Sequence, residues 1–170
     1  MSKKRIFSSI KEYEASDSVE HMGFNEPRLR KKYNNRRITL EFPDKTVTFR
    51  SIGESKVAQY LQLLKESNHI DDWYYEFMNF KFPNNDKPVL TWLIDFTVKE
   101  NDGNFYHIEF KGHYESLDRK KLKALFDYYP EARVLYVFQS KHDVKKMGTS
   151  RKYLWWRPPT HLSELTRGII

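Results

Sequence analysis

Hydrophobic positions along the chain recur with two periods. From Ser51 onward Val57, Tyr60, Leu61 and Leu64 fall at i, i+3, i+4 and i+7, the spacing of one helix face. Ser51 or Gly53 can cap that helix, which puts Glu54 in its first turn. Trp73–Phe82 (WYYEFMNFKF) reads as one strand, ended by Pro83, Asn84 and Asn85, and Thr91–Lys99 (TWLIDFTVK) reads as a second. The loop ENDGN follows, with Gly103 available for a left-handed conformation. The third strand is FYHIEFK: Phe105, His107, Glu109 and Lys111 share one face, and Tyr106, Ile108 and Phe110 share the other. Helical spacing returns at Leu122, Leu125, Phe126 and Tyr129, and Pro130 stops it. RVLYVF, Arg133–Phe138, is nearly continuous in apolar residues, as a strand buried on both faces is. Upstream, ITLEF and TVTFR flank Pro43, Asp44 and Lys45 as a short hairpin. The order helix, three strands, helix, strand predicts an α/β fold, a mixed sheet flanked by helices.

Composition divides this pattern into three parts. At 170 residues the chain holds one domain with arms. Residues 1–50 form a basic N-terminal extension carrying the hairpin, residues 51–139 the core, and residues 140–170 a basic, tryptophan-containing tail packed on or near it. A net charge of +7 favours either an anionic partner, nucleic acid first, or general solubility. The segment RLRKKYNNRR places Arg28, Arg30, Lys31, Lys32, Arg36 and Arg37 together without an acid. It suits a phosphate-tracking arm or a solvated segment. In the tail Lys141, Lys145, Lys146, Arg151 and Lys152 precede Trp155 and Trp156, which either stack on bases or cap the core. The absence of cysteine excludes disulfides and thiolate metal sites. No apolar run reaches the length of a membrane span, so a soluble, cytoplasmic protein without a membrane partner is expected.

Asp95 stands out because it interrupts an apolar strand, where a carboxylate needs a partner, a hydrogen-bond network or a metal. If Asn101, Asp102 and Gly103 alone close the hairpin, Asp95 lies opposite Glu109, with Cβ atoms about 5 Å apart. A two-residue Asp102–Gly103 turn would put the two on opposite faces. Two carboxylates that close repel unless a cation intervenes, and a hard divalent ion, Mg²⁺ or Mn²⁺, suits them. Lys111 shares the face of Glu109 and can stabilise an attacked phosphate, and Glu54 can add a third carboxylate. Arg119, Lys120 and Lys121 open the next helix as clamps for adjacent phosphates or as a solvated face. His107 and His113 lie nearby in either a structural or a catalytic role.

In this arrangement Asp95, Glu109 and Lys111 resemble the D…ExK signature of the PD-(D/E)xK nuclease superfamily. The segment IEFKGHYESLDRKKLKALFDYYPEARVLYVF resembles phage endonuclease I, a Holliday-junction resolvase, over roughly Ser51 to Phe138. Ile94 stands where the family name has proline. Transposon end-cleaving and phage head-completion nucleases share similar patterns. The resemblance implies a restriction-endonuclease-like αβββαβ core and Mg²⁺- or Mn²⁺-dependent hydrolysis of duplex or branched DNA in a host cytoplasm or a virion. It implies Glu54, Asp95 and Glu109 as metal ligands and Lys111 as the catalytic lysine. A homodimer is expected by analogy, since a junction presents two symmetric scissile strands. The alternative is a nonenzymatic nucleic-acid-binding or virion assembly protein on the same fold.

Overall fold

The computed structural model describes residues 36–83, 90–148 and 156–169. β1 (Ile38–Glu41) and β2 (Thr46–Phe49) form the expected antiparallel hairpin. Phe49 at its end is fully buried against the helix that follows, so the core reaches upstream of Ser51. That helix, α1 (Ile52–Glu66), starts at Ser51, whose hydroxyl accepts the Glu54 N–H at 3.2 Å. The Ser-x-x-Glu spacing is a capping signal, and burial of Val57, Ala58 and Leu61 fixes the inward face.

The two long strands expected next are each broken in two. β3 (Asp72–Tyr75) is separated from β4 (Asn79–Phe82), and β5 (Leu90–Leu93) from β6 (Phe96–Lys99). β3 pairs with β6 and β4 with β5, so the four are two stretches of one bent antiparallel pair. Three residues lie between the paired positions on the first strand and two on the second, the count of a β-bulge. Glu76 takes a positive φ of 50° there, its N–H donates to the Asp95 carbonyl at 2.9 Å, and the Ile94 N–H donates to the Met78 carbonyl at 3.0 Å. The break at Asp95 is therefore the inner side of a bend.

β7 (Phe105–Lys111) pairs antiparallel with β6. The Glu100 N–H donates to the Asn104 carbonyl, leaving Asn101, Asp102 and Gly103 as the loop, with Gly103 at φ +83°. This is the three-residue closure on which the carboxylate pair depends. α2 (Ser116–Tyr128) then crosses to β8 (Val134–Phe138), parallel to β7 and buried along its whole length. α3 (Lys141–Gly148), β9 (Thr160–His161), α4 (Leu162–Leu165) and a 3₁₀ turn, Thr166–Ile169, complete the described chain.

The central sheet has the order β3-β6-β7-β8-β9, antiparallel on one side and parallel on the other. With the β4–β5 ribbon set aside, α1, β3, β6, β7, α2 and β8 follow the order αβββαβ. The fold is α/β. Alternation along β7 and β8 separates two cores. Ile108, Phe110 and Val137 join α1 and Leu162 in one, and Tyr136 and Phe138 join α2, α3 and the ribbon in the other. The ring of Trp156 lies tilted against that of Tyr106, centroids 5.1 Å apart, and packs against the first core. Phe126, expected on the buried face of α2, is exposed. Among the described residues no helix is long and apolar enough to cross a membrane.

Candidate active site

The hairpin register decides the site. Phe96 pairs with Ile108, so the next position back, Asp95, falls beside Glu109 at the end of β6. The Asp95 N–H donates to Glu109 Oε2 at 3.4 Å, and Asp95 Oδ2 accepts the Phe110 N–H at 2.8 Å. Glu109 is 3% exposed, so the charged face of β7 is covered. Lys111 Nζ lies 2.7 Å from Glu109 Oε1 and 3.3 Å from Asp118 Oδ1, at the carboxyl end of β7. Asp118, in the first turn of α2, also accepts the Glu115 N–H at 2.8 Å.

Glu54 is buried in the first turn of α1. Its Oε1 accepts the Ser51 hydroxyl at 2.8 Å, and its Oε2 accepts the Arg50 N–H at 3.0 Å and the Tyr75 hydroxyl at 2.5 Å. Burial, then the bond to Glu54, raises the Tyr75 phenol far above its ordinary range. Tyr75 therefore stays a donor and holds Glu54 from β3.

Burial pushes the Asp95 carboxyl well above the usual carboxylate range, and the charges of Glu109 and Glu54 push the same way against Lys111. Burial also raises Glu109, although Lys111, Lys121 and the nearby Trp92 favour its ionised form. Burial opposes the charge of Lys111, but Glu109 and Asp118 outweigh it and lift its pKa, so this lysine stays protonated. Lys121 moves the other way. Burial and the neighbouring Lys111 lower its pKa, and its Nζ sits 5.6 Å from the centre of the Trp92 ring. The Trp92 indole N–H lies near Glu109 but outside hydrogen-bond geometry. It and the hydroxyl of Tyr136, the register neighbour of Glu109, are buried without a partner among the described residues. Both are donors beside a carboxylate, an arrangement that favours its negative charge.

Asp95, Glu109 and Lys111 thus come together, with Lys121 beside them, and Glu54 acts on Asp95 through its charge. Arg119 and Lys120 are exposed on α2, and Arg36 and Arg37 are exposed ahead of β1. Arg28, Arg30, Lys31 and Lys32 lie outside the described residues. His107 is structural: it is buried, its Nδ1 is 3.1 Å from the Thr97 hydroxyl, and burial drives its pKa down to about 3. His113 is exposed, 3.5 Å from Asp143. Asp118, Tyr75, Trp92 and Tyr136 are additions that the sequence pattern does not single out. The capping position of Asp118, three residues after Glu115, is visible in sequence, but its bond to Lys111 is not.

Among the described residues no three His, Asp or Glu side chains converge closely enough to hold a metal ion as they stand. The donor set nevertheless fits a hard cation. It consists of carboxylate oxygens, the donors a hard cation takes, and after burial, the main cause, the charges of Glu109 and Glu54 also raise Asp95, a repulsion that a divalent ion would relieve.

No family model matches the chain, and no curated protein matches it. Among solved structures, protein VC1899 from Vibrio cholerae is similar with a TM-score of 0.42 at 16% identity. The match covers 68% of this chain and 30% of that protein. The chemistry of the site accordingly rests on its own geometry.

Proposed function

We propose that this chain is a divalent-metal-dependent DNA endonuclease of the PD-(D/E)xK type, with branched duplexes such as four-way junctions as its substrate class. The observation that carries the reading is the register that sets Asp95 beside Glu109, with Lys111 two residues on along the same strand. Asp95, Glu109 and Glu54 would hold Mg²⁺ or Mn²⁺, and such an ion supplies Lewis acidity and an activated water. Lys111, fixed by Glu109 and Asp118, presents its ammonium where charge develops on an attacked phosphate. Lys121 adds a second cation from α2, and Arg119 and Lys120 contact flanking phosphates. Tyr75 and Ser51 keep the Glu54 carboxylate in place. A homodimer belongs to the same proposal, because two symmetric strands must be cut.

The test is cleavage of supercoiled plasmid, linear duplex, single strand and a four-way junction, each with Mg²⁺, Mn²⁺ or EDTA. Wild type is expected to cut only with metal and to prefer the junction. Asp95→Asn and Lys111→Ala are expected to cut at least about a hundredfold more slowly. Circular dichroism accompanies Lys111→Ala, since that change leaves Glu109 and Asp118 buried without their cation.

One observation favours a second reading, a nonenzymatic nucleic-acid-binding or virion assembly protein. Both oxygens of Glu54 are engaged in local hydrogen bonds and Glu109 is locked to Lys111, as in a purely structural network. Salt-sensitive DNA binding with no cleavage in either metal would establish it.

A further inference from the structure

Of the tail residues, Arg151, Lys152 and Trp155 lie outside the described residues, and the tail lysines of α3 and Trp156 have separate places in the fold. Trp156, partly buried, packs against the first core, whereas Lys141, Lys145 and Lys146 belong to α3. All three are exposed, as is His142, while Asp143 and Met147 are buried. At about 100° per residue the four exposed residues occupy one stripe roughly 140° wide, and the buried ones lie opposite. Lys141 with Lys145, and His142 with Lys146, each stand one turn apart, about 6 Å along the axis.

Helix stability does not account for this stripe. Lys145 and Lys146 suit the C-terminal end of the helix dipole, but Lys141 and His142 occupy the first turn, where the dipole disfavours cations. Asp143, the sole acid of α3, is turned inward, 3.5 Å from His113, and 3.9 Å from His142. The stripe therefore keeps an outward positive face.

Its position links it to the carboxylate site. β7 and β8 end side by side, with Lys111 paired to Phe138, and the Gln139 N–H donates to the Lys111 carbonyl at 3.0 Å. α3 begins directly after that contact. The loop that follows Lys111 is joined to α3 through His113 and Asp143 and by Lys146 over the Tyr114 ring at 5.6 Å. The far side of the same loop opens α2, with Arg119 and Lys120 exposed. Cations thus flank the loop at the carboxyl ends of the parallel strands, the edge where α/β sheets bind ligands.

We infer that the exposed face of α3, built from Lys141, His142, Lys145 and Lys146, is a phosphate-binding shelf for duplex DNA that runs past the carboxylate site. This deepens the endonuclease reading and rests on it. Lysines act as point charges on flexible stems, so the shelf holds the backbone without reading sequence. Its partner is DNA and not a lipid surface, because the stripe carries none of the exposed apolar side chains that an interfacial helix inserts.

The test uses the full chain, a labelled duplex and EDTA, with fluorescence anisotropy over a salt series. Lys141→Gln/Lys145→Gln is compared with wild type and with Lys56→Gln/Lys81→Gln, which removes equal charge elsewhere. The α3 variant is expected to bind about tenfold more weakly, with a log–log salt slope smaller by nearly two. The control pair keeps the wild-type slope. Wild-type affinity and slope in the α3 variant would overturn the shelf, and if that variant still cleaves with metal, the endonuclease reading survives. The expected slope change in a protein that cleaves nothing keeps the shelf and removes the endonuclease reading.

Discussion

At Asp95 two demands meet. Its Oδ2 accepts the Phe110 N–H, which ties the end of β6 to β7, while burial, Glu109 and Glu54 all disfavour its ionised form. A carboxyl whose folded pKa lies above its unfolded value contributes stability that is complete below the unfolded value and is lost as pH rises through the folded one. Asp95→Asn keeps an acceptor for Phe110 and removes the charge. The variant is expected to melt a few degrees above wild type near about pH 8, with the gap closing near about pH 4. Thermal melts across pH check this, and a variant less stable at both ends would contradict the repulsion. Added Mn²⁺ is expected to raise the wild-type midpoint and leave that of Asp95→Asn unmoved. Glu109, Lys111 and the interruption of an apolar run by Asp95 were legible as residues. The grip of Asp118 on Lys111 and of Tyr75 on Glu54 was not, because each joins elements whose proximity no local pattern encodes.

Between elements, α1 approaches β7 closely at Gly53. A Cβ added at Gly53 would lie 1.9 Å from Cζ of Phe110, whose N–H holds Asp95. Gly53→Ala gains helix propensity of about 1 kcal/mol, but displacing a buried ring costs about 1–3 kcal/mol. Net destabilisation is therefore expected in urea unfolding, with reduced cleavage. An equally stable, fully active variant would show that the ring moves freely. Helices α1 and α2 and strands β7 and β8 were readable from the spacing of their apolar residues, although Phe126 is exposed on α2 and His107 and Glu109 are buried on β7. The breaks at Glu76 and Asp95 were not, since strand-forming residues flank each charged position and nothing local tells a bulge from a continuous strand. The extra residue of the bulge is defined only by how β3–β4 pairs with β5–β6.

Across the whole molecule, an ion network ties the β1–β2 turn, α1 and β3. Lys65 lies 2.6 Å from Asp44 and 2.9 Å from Asp72, and Lys45 reaches Asp72 at 3.4 Å. The hydrogen bond from Lys65 lowers the Asp44 pKa. At Asp72 burial works against the charge, but Lys65 and the Trp73 N–H outweigh it. Depressed carboxylates contribute stability present above their unfolded pKa and lost as pH falls through the folded value. Asp72→Asn is expected to be less stable than wild type at neutral pH, with the difference fading in acid. Urea unfolding at a series of pH values measures it, and a gap independent of pH would mean that packing, not charge, is lost. What the amino-acid sequence by itself determined was the α/β order, the start of α1 at Ser51, the stop of α2 at Pro130 and the carboxylate and lysine residues of the candidate site. Those follow from short-range physics: side-chain period, capping and the cost of a carboxylate in an apolar strand. Tertiary structure alone decided that Asp95 meets Glu109, that Lys111 is held from two sides, and that the basic tail separates into an exposed helix face and a packed tryptophan. The β6–β7 register turns on whether the loop closes with two or three residues, and the bulge and the docking of Trp156 are set by contacts between segments far apart in the chain, which have no period to read.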